Sequence, residues 1–110
     1  MSAALEALRP LVPALKGHVE LTEAETGLFA DVLERSSLLA SDVEELRREH
    51  VAIGDHLQEL IDLLASPAGA AAARGRVRQA VPQLIEESDR HCCREDHLMF
   101  EAYLAGIGGD

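Results

Sequence analysis

The sequence has very few aromatic residues, with two Phe, one Tyr and no Trp among its 110 residues. Any core must therefore be built from aliphatic side chains, and a chain rich in Ala and Leu favours helices over sheets. Hydrophobic residues make up 47% of the chain. This length is enough for one buried core and too short for two. We therefore predict a single domain spanning residues 1–110.

Cysteine is also scarce, because Cys92 and Cys93 are the only two in the chain. A bridge between sequence neighbours would be strained, so a disulfide framework is excluded and a reducing compartment is expected. One Cys-Cys step also lacks the spacings of zinc fingers and zinc ribbons. We expect one of the two cysteines to face another helix as a small hydrophobic residue; a redox role is the alternative.

Basic residues are half as frequent as acidic ones, and the 10 Lys and Arg against 20 Asp and Glu give a formal charge of −10. This charge repels phosphate backbones and anionic lipid headgroups, so we expect no nucleic acid partner and no membrane partner. The sequence has no apolar run of membrane-spanning length, and its first residues lack the basic start of a signal peptide. We therefore expect a cytoplasmic protein.

The most regular helical pattern lies in "SDVEELRREHVAIGDHLQELIDLLAS". It opens with a possible capping box, Ser41 to Glu44, and closes before Pro67, which predicts a helix from about residue 42 to 65. Its apolar positions alternate in steps of three and four, which is typical of a buried stripe. That stripe consists of Val43, Leu46, His50, Ile53, Leu57, Leu60 and Leu64.

Two other stretches also read as helical. The last helix should begin within residues 68–76 and continue to about residue 105, with Pro82 either bending it or starting its main segment. Before residue 35, Pro10 and Pro13 indicate a short helix near 3–9 followed by a longer one, or one bent helix. We predict an all-α, up-and-down antiparallel bundle of three long helices plus a short N-terminal helix.

Each long helix carries a histidine in its apolar stripe, which runs from Leu11 through Leu21 to Val32 in the first helix and from Val77 to Ala102 in the last. His91 and Glu95 lie one turn apart on the apolar face of the last helix, and the first long helix carries its own pair, His18 and Glu25. Burying an unpaired polar group costs about 1–3 kcal/mol, so each of these side chains needs a partner. Three histidines at one depth of a bundle would form, with the carboxylates, a site for iron, manganese or zinc.

Alternatives exist for individual residues. Thr22 and Glu25 also fit a capping box, in which Thr22 would start a helix. In that case Glu20 or Glu23 would replace Glu25 near a metal, or no acid from this segment would lie there. A single histidine in an apolar stripe is often a hydrogen-bonded core residue. His56 and His97 lie off the stripes, and we expect them to be solvated.

The motifs "LRREHVAIGDHLQEL" and "HCCREDHLMFEAYL" resemble the Glu-His helix and the His-x-x-x-Glu helix of hemerythrin-like, HHE-type cation-binding domains. The family contains the His-x-x-x-Glu helix twice, and "HVELTEAETGLFADVL" is similar to the other copy. The resemblance implies a four-helix bundle whose histidines and carboxylates hold a non-haem di-iron centre that binds dioxygen or nitric oxide, senses redox state or handles iron. By position, His50 matches the first motif, and His91 with Glu95 match the second.

The resemblance is incomplete at two places. In the earlier copy, Glu20 stands where the family has His, and Ala24 stands where it has Glu, so His18 and Glu25 would have to substitute. The family's first helix supplies a further histidine, whereas residues 1–10 contain none. The fourth helix of the bundle would then come from the short N-terminal helix, a second copy of the chain or another protein.

We therefore expect a protein that binds mononuclear or dinuclear non-haem iron, or else manganese or zinc. The ligand set would be His18, Glu25, His50, His91 and Glu95, with Glu20 as a further candidate. The expected role is sensing of dioxygen, nitric oxide or redox state, or iron handling; catalysis is not required. The alternatives are a metal-free acidic interaction module and an accessory or catalytic protein of iron-dependent oxygen chemistry.

Overall fold

The computed structural model describes residues 3–66 and 70–107, which are almost entirely helical and contain no strand. None of the described helices is long and apolar enough to span a membrane. The helices are α1 (Ala3–Leu8), α2 (Leu11–Glu23), α3 (Leu28–Arg35), α4 (Ala40–Ala65) and α5 (Ala70–Ile107). Helices α2 and α3 together form one long bent unit, which we call the first wall of the bundle; α4 and α5 are the second and third walls. The predicted all-α bundle of three long helical units and a short first helix is therefore confirmed.

Helix α4 follows the predicted stripe closely, with every position from Val43 to Leu60 on that stripe buried. Its start differs from the prediction, because the helix begins at Ala40 and no side chain caps it. A 3-10 turn, Ser37–Leu39, leads directly into α4. Ser41 therefore already lies inside the first helical turn, and the predicted capping box at Ser41 is wrong.

The break between α2 and α3 also differs from the predicted cap. Thr22 does not start a helix; its hydroxyl lies within α2 and donates to the carbonyls of His18 (2.9 Å) and Val19 (3.2 Å). Helix α3 begins after Gly27, whose N–H donates to the Ala24 carbonyl. A Cβ on Gly27 would lie 2.3 Å from the Leu21 carbonyl oxygen, so only glycine fits there.

Two hydrophobic clusters, aliphatic except for Phe29, form the core. One joins α3, α4 and the C-terminal part of α5; the other joins α1, the end of α4 and the N-terminal part of α5. On α4 and α5, the buried polar residues His50, His91 and Glu95 lie between these clusters. The fold therefore places a polar layer across the middle of the bundle. The first cluster consists of Phe29, Val32, Val43, Leu46, Leu98 and Ala102, and the second of Leu8, Leu57, Leu60 and Ile61.

Helix α5 continues through Pro82 without interruption. The predicted stripe on this helix, from Val77 to Ala102, is buried or half-buried throughout. By contrast, the predicted stripe on the first wall is only partly buried, since Leu11 and Leu21 are 46% and 77% exposed. The break after α2 changes the helical phase, and no described helix covers this side of α2.

Candidate metal centre

Four side chains from the three walls meet in the polar layer. Glu95 Oε1 and Oε2 lie 2.9 and 3.0 Å from His18 Nε2. Glu95 Oε2 also lies 3.2 Å from His50 Nε2 and 3.1 Å from His91 Nε2. One donor atom from each of the four residues lies within 4.8 Å of the others. The structure thus brings together His18, His50, His91 and Glu95 from the predicted ligand set.

The helical periodicity explains this convergence. His50 occupies the apolar stripe of α4, and His91 with Glu95 occupy that of α5, one turn apart. The packing of the aliphatic clusters turns both stripes inward, so the imidazole and carboxylate groups turn inward with them. His18 lies near the end of α2, where its side chain keeps 40% exposure. The cluster is therefore deeply buried on two walls and partly open on the third.

Phe29 of α3 covers one face of the cluster. Its ring is fully buried and stacks on the His50 imidazole, with ring centroids 5.6 Å apart and planes at 16°. The break after α2 makes this contact possible, because it lets α3 turn its buried face toward α4 and α5. The bend in the first wall thus serves the site by placing an apolar ring against a histidine.

Two further carboxylates contact the far nitrogens of the buried histidines. His50 Nδ1 lies 2.6 Å from Glu23 Oε2, and His91 Nδ1 lies 2.8 Å from Glu49 Oε1. We call Glu23 and Glu49 the outer carboxylates. Each is paired with an arginine: Arg94 bonds to Glu49, and Arg47 Nη1 lies 3.6 Å from Glu23 Oε1.

The electrostatics of the cluster favour positive charge. Burial alone would lower the pKa of His50, yet its hydrogen bonds with Glu95 and Glu23 outweigh burial and raise that pKa. His91 behaves in the same way: burial opposes the rise, and Glu95 and Glu49 raise its pKa. Burial would raise the pKa of Glu95, but the close contacts of its carboxylate with the His50 and His91 rings hold that pKa well below its ordinary value. Glu95 is therefore a carboxylate at neutral pH.

When the His50 and His91 rings are neutral, the contacts of the cluster favour a bound cation. If Nδ1–H of His50 and His91 donates to the outer carboxylates, the neutral rings direct Nε2 lone pairs at the Glu95 carboxylate. Two acceptors then face each other, and the buried His91 Nε2 indeed has no hydrogen-bond partner. Neighbouring ligands of an ion with bonds of about 2.0–2.2 Å lie about 3 Å apart, which resembles the distances observed. A metal ion would resolve the conflict.

Other predicted candidates lie elsewhere. Glu25 is exposed in the turn between α2 and α3, and Glu20 is exposed on α2. Neither belongs to the group of residues that converge. Glu25 does not reach the cluster because α2 ends at Glu23, so Glu25 no longer follows the helical phase of His18.

The off-stripe histidines are exposed, as predicted. His56 is paired with Glu87 and His97 with Glu101, and their side chains are 52% and 71% exposed. Both cysteines, Cys92 and Cys93, are free and exposed. The expectation that one of them faces another helix is therefore wrong, because His91 and Glu95 occupy the inward face of this part of α5.

The sequence analysis did not identify Glu49 as a partner of a histidine, because Glu49 lies outside the apolar stripe. Glu49 borders the stripe of α4, and its flexible side chain reaches around to His91 of the neighbouring helix. Glu23 appeared only as a substitute for Glu25. The signal available in advance was a carboxylate directly before a stripe histidine, as in Glu49-His50, but such pairs are common on helices.

The comparisons with known proteins agree with this geometry. The family model described as the hemerythrin HHE cation-binding domain matches residues 1–104. No curated protein and no solved structure matches the chain. The family match covers nearly the whole chain, and the histidine and glutamate cluster is compatible with cation binding. The chain therefore belongs to the hemerythrin HHE cation-binding domain family.

Proposed function

We propose that this protein binds one non-haem metal ion, with iron as the physiological metal, through His18, His50, His91 and Glu95. The observation that carries the proposal is the convergence of three imidazole Nε2 atoms on one buried carboxylate. A set of nitrogen and oxygen donors suits iron, and also manganese or zinc. Iron is favoured by the family to which the chain belongs.

The donor set supports a single ion. All four donor atoms fit within 4.8 Å of one another, whereas two-metal sites hold their ions about 3.5–4 Å apart and need ligands for both. The outer carboxylates, Glu23 and Glu49, are already engaged with histidine Nδ1 atoms. The described residues thus provide one compact set of donors rather than two.

The role that follows is binding of a small ligand. Four protein donors leave coordination positions free on an iron ion, and the half-exposed His18 side opens the cluster toward solvent. Bound iron would supply an acceptor for dioxygen or nitric oxide, so we propose sensing of one of these molecules or of redox state. The protein's own contribution is to hold the donors and to shield two of the three histidines from water.

Metal analysis tests the proposal directly. Protein prepared without an affinity tag and reconstituted with ferrous iron should hold one ion per chain. A content below about a tenth of an equivalent for iron, manganese and zinc would refute the proposal and favour a metal-free interaction module. Two ions per chain, with a near-ultraviolet band of oxo-bridged iron, would refute the single-ion site and indicate a dinuclear centre.

Substitutions identify the ligands. His50→Ala and His91→Ala should each lower metal affinity about tenfold or more, because each removes one donor. The matched control is His97→Ala, which removes an exposed histidine of α5 that pairs only with Glu101. Competition with a chelator of known affinity measures all three variants. Unchanged affinity in both His50→Ala and His91→Ala would remove these residues from the site.

A further inference from the structure

The outer carboxylates are arranged in a regular way around the cluster. Glu23 of α2 contacts His50 of α4, and Glu49 of α4 contacts His91 of α5. Glu95 of α5 in turn contacts His18 of α2. Each wall therefore supplies one histidine and one carboxylate, and each carboxylate contacts the histidine of a different wall. The three walls are linked in a closed ring of histidine–carboxylate contacts.

We infer that Glu23 and Glu49 are positioning residues that fix His50 and His91 as Nδ1–H tautomers, leaving Nε2 free to bind the metal. This inference rests on the proposed metal site and assigns two residues that act through its ligands. Each buried ring has a carboxylate on both sides, and only one nitrogen of a neutral imidazole carries a proton. The distances decide which nitrogen that is.

For His50, Nδ1 is 2.6 Å from Glu23, whereas Nε2 is 3.2 Å from Glu95. For His91, Nδ1 is 2.8 Å from Glu49, whereas Nε2 is 3.1 Å from Glu95 and lacks hydrogen-bond alignment. Short hydrogen bonds to a charged acceptor are the stronger ones. Both rings therefore place the proton on Nδ1, and both direct the Nε2 lone pair toward Glu95.

The arginines hold the outer carboxylates in place. Arg94 bonds to Glu49, and Arg47 lies beside Glu23. Each arginine offsets part of the negative charge that the outer carboxylate brings to the cluster. Among the described residues, no carboxylate supports His18 in this way, because the hydrogen bonds of its ring all run from Nε2 to Glu95. We therefore expect His18 to be the least firmly held of the three histidines.

The first test uses metal-free protein and needs no metal chemistry. Long-range proton–nitrogen NMR at a pH where the rings are neutral should show the Nδ1–H tautomer for His50 and His91. Glu23→Gln keeps an acceptor oxygen and should preserve the His50 tautomer, whereas Glu23→Ala should lose it. Glu49→Gln and Glu49→Ala should act in the same way on His91. An Nε2–H tautomer in the wild-type rings, or no change in the alanine variants, would overturn the inference.

The second test measures ferrous iron affinity in the same variants. Glu23→Ala and Glu49→Ala should each weaken binding about 10–100-fold, and the glutamine variants should lose less. Glu101→Ala is the control, because Glu101 accepts from the exposed His97 outside the cluster. Circular dichroism confirms that each variant is folded. Wild-type affinity in both alanine variants would overturn the positioning role, whereas absence of binding in the wild type with the expected tautomers would overturn only the proposed function.

Discussion

Glu95 is the residue on which the cluster depends most, because one carboxylate contacts three imidazoles from three walls. A buried carboxylate of this kind would destabilise the fold if it had no positive partner. In metal-free protein the partners are protons on His50 and His91, and in the proposed loaded state the partner is the ion. Protons and metal therefore compete for the same position.

A pH dependence follows for the metal-free protein. The pKa values of His50 and His91 are higher in the folded state than in the unfolded state. Their contribution to the free energy of unfolding is therefore complete below the unfolded pKa of about 6.5, and it is lost as the pH rises through the folded-state values. The free energy of unfolding of chelator-treated protein should therefore fall as the pH rises above about 6.5. Urea unfolding at several pH values measures this change.

Glu95→Gln provides the control for that titration. Its side chain is nearly the same size but carries no charge, so it should remove much of the pH dependence together with the cause of the raised pKa values. A free energy of unfolding that stays constant or increases in the wild type as the pH rises above about 6.5 would contradict the electrostatic account.

At the residue scale, the sequence predicts the inward histidines and Glu95 because the apolar stripes fix their direction. The stripe places His50 of α4 and His91 of α5 inside the bundle, where the structure has them. It does not predict Glu49, since a helical wheel records the direction of a Cβ and not the reach of a long side chain. The partners of the histidines depend on tertiary packing that no single helix encodes.

At the scale of elements, the turn between α2 and α3 controls how α3 presents Phe29 to the cluster. Gly27→Ala would place a Cβ against the carbonyl oxygens of Leu21 and Thr22. Because backbone atoms must shift, we expect a loss of about 1–3 kcal/mol in the free energy of unfolding. Chemical unfolding measures this loss, and a weakened metal affinity should accompany it.

Gly17→Ala is the matched control on the same wall. Gly17 lies inside α2, and nothing lies within 4 Å of a Cβ added there. Replacing a glycine inside a helix with alanine should raise the free energy of unfolding by about 0.5–1 kcal/mol. Equal effects of the two substitutions would show that the turn is not constrained as the structure indicates.

The elements themselves could be predicted to different degrees. The α4 stripe is continuous and bounded by Pro67, so the sequence predicts its end and its buried face well. The first wall is less predictable, because its break depends on a close backbone approach at Gly27. A pattern of Thr22 followed by Glu25 favours a cap, but the Thr22 hydroxyl instead bonds back within α2.

For the whole molecule, metal binding should raise thermal stability. An ion that binds only the folded state at a hundred times its Kd adds about 2.7 kcal/mol. For a domain of this size, such a gain corresponds to roughly a 10 °C increase in Tm. Calorimetry with ferrous iron and with chelator measures the difference, and the His50→Ala variant should lose most of it. An equal Tm in both conditions would contradict binding to the folded cluster.

Completion of the bundle by a second copy or by another protein stays a prediction. The first wall leaves Leu11 and Leu21 exposed, and α5 exposes Ile85 and Met99. Apolar side chains of this size are common on surfaces one at a time. Sedimentation equilibrium over a range of concentrations, with and without metal, distinguishes a monomer from a dimer.

The polar layer between the two aliphatic clusters has a consequence for motion. Apolar packing is interrupted at the middle of the bundle. Without an ion, only the contacts between histidines and carboxylates hold the helices together at that level. Of the three helices that carry a proposed ligand, α2 is the shortest, and its buried residue, Thr22, is polar. Removal of the proposed ion should therefore loosen α2 before α4 and α5, and a small ligand of that ion would enter on the same side of the bundle.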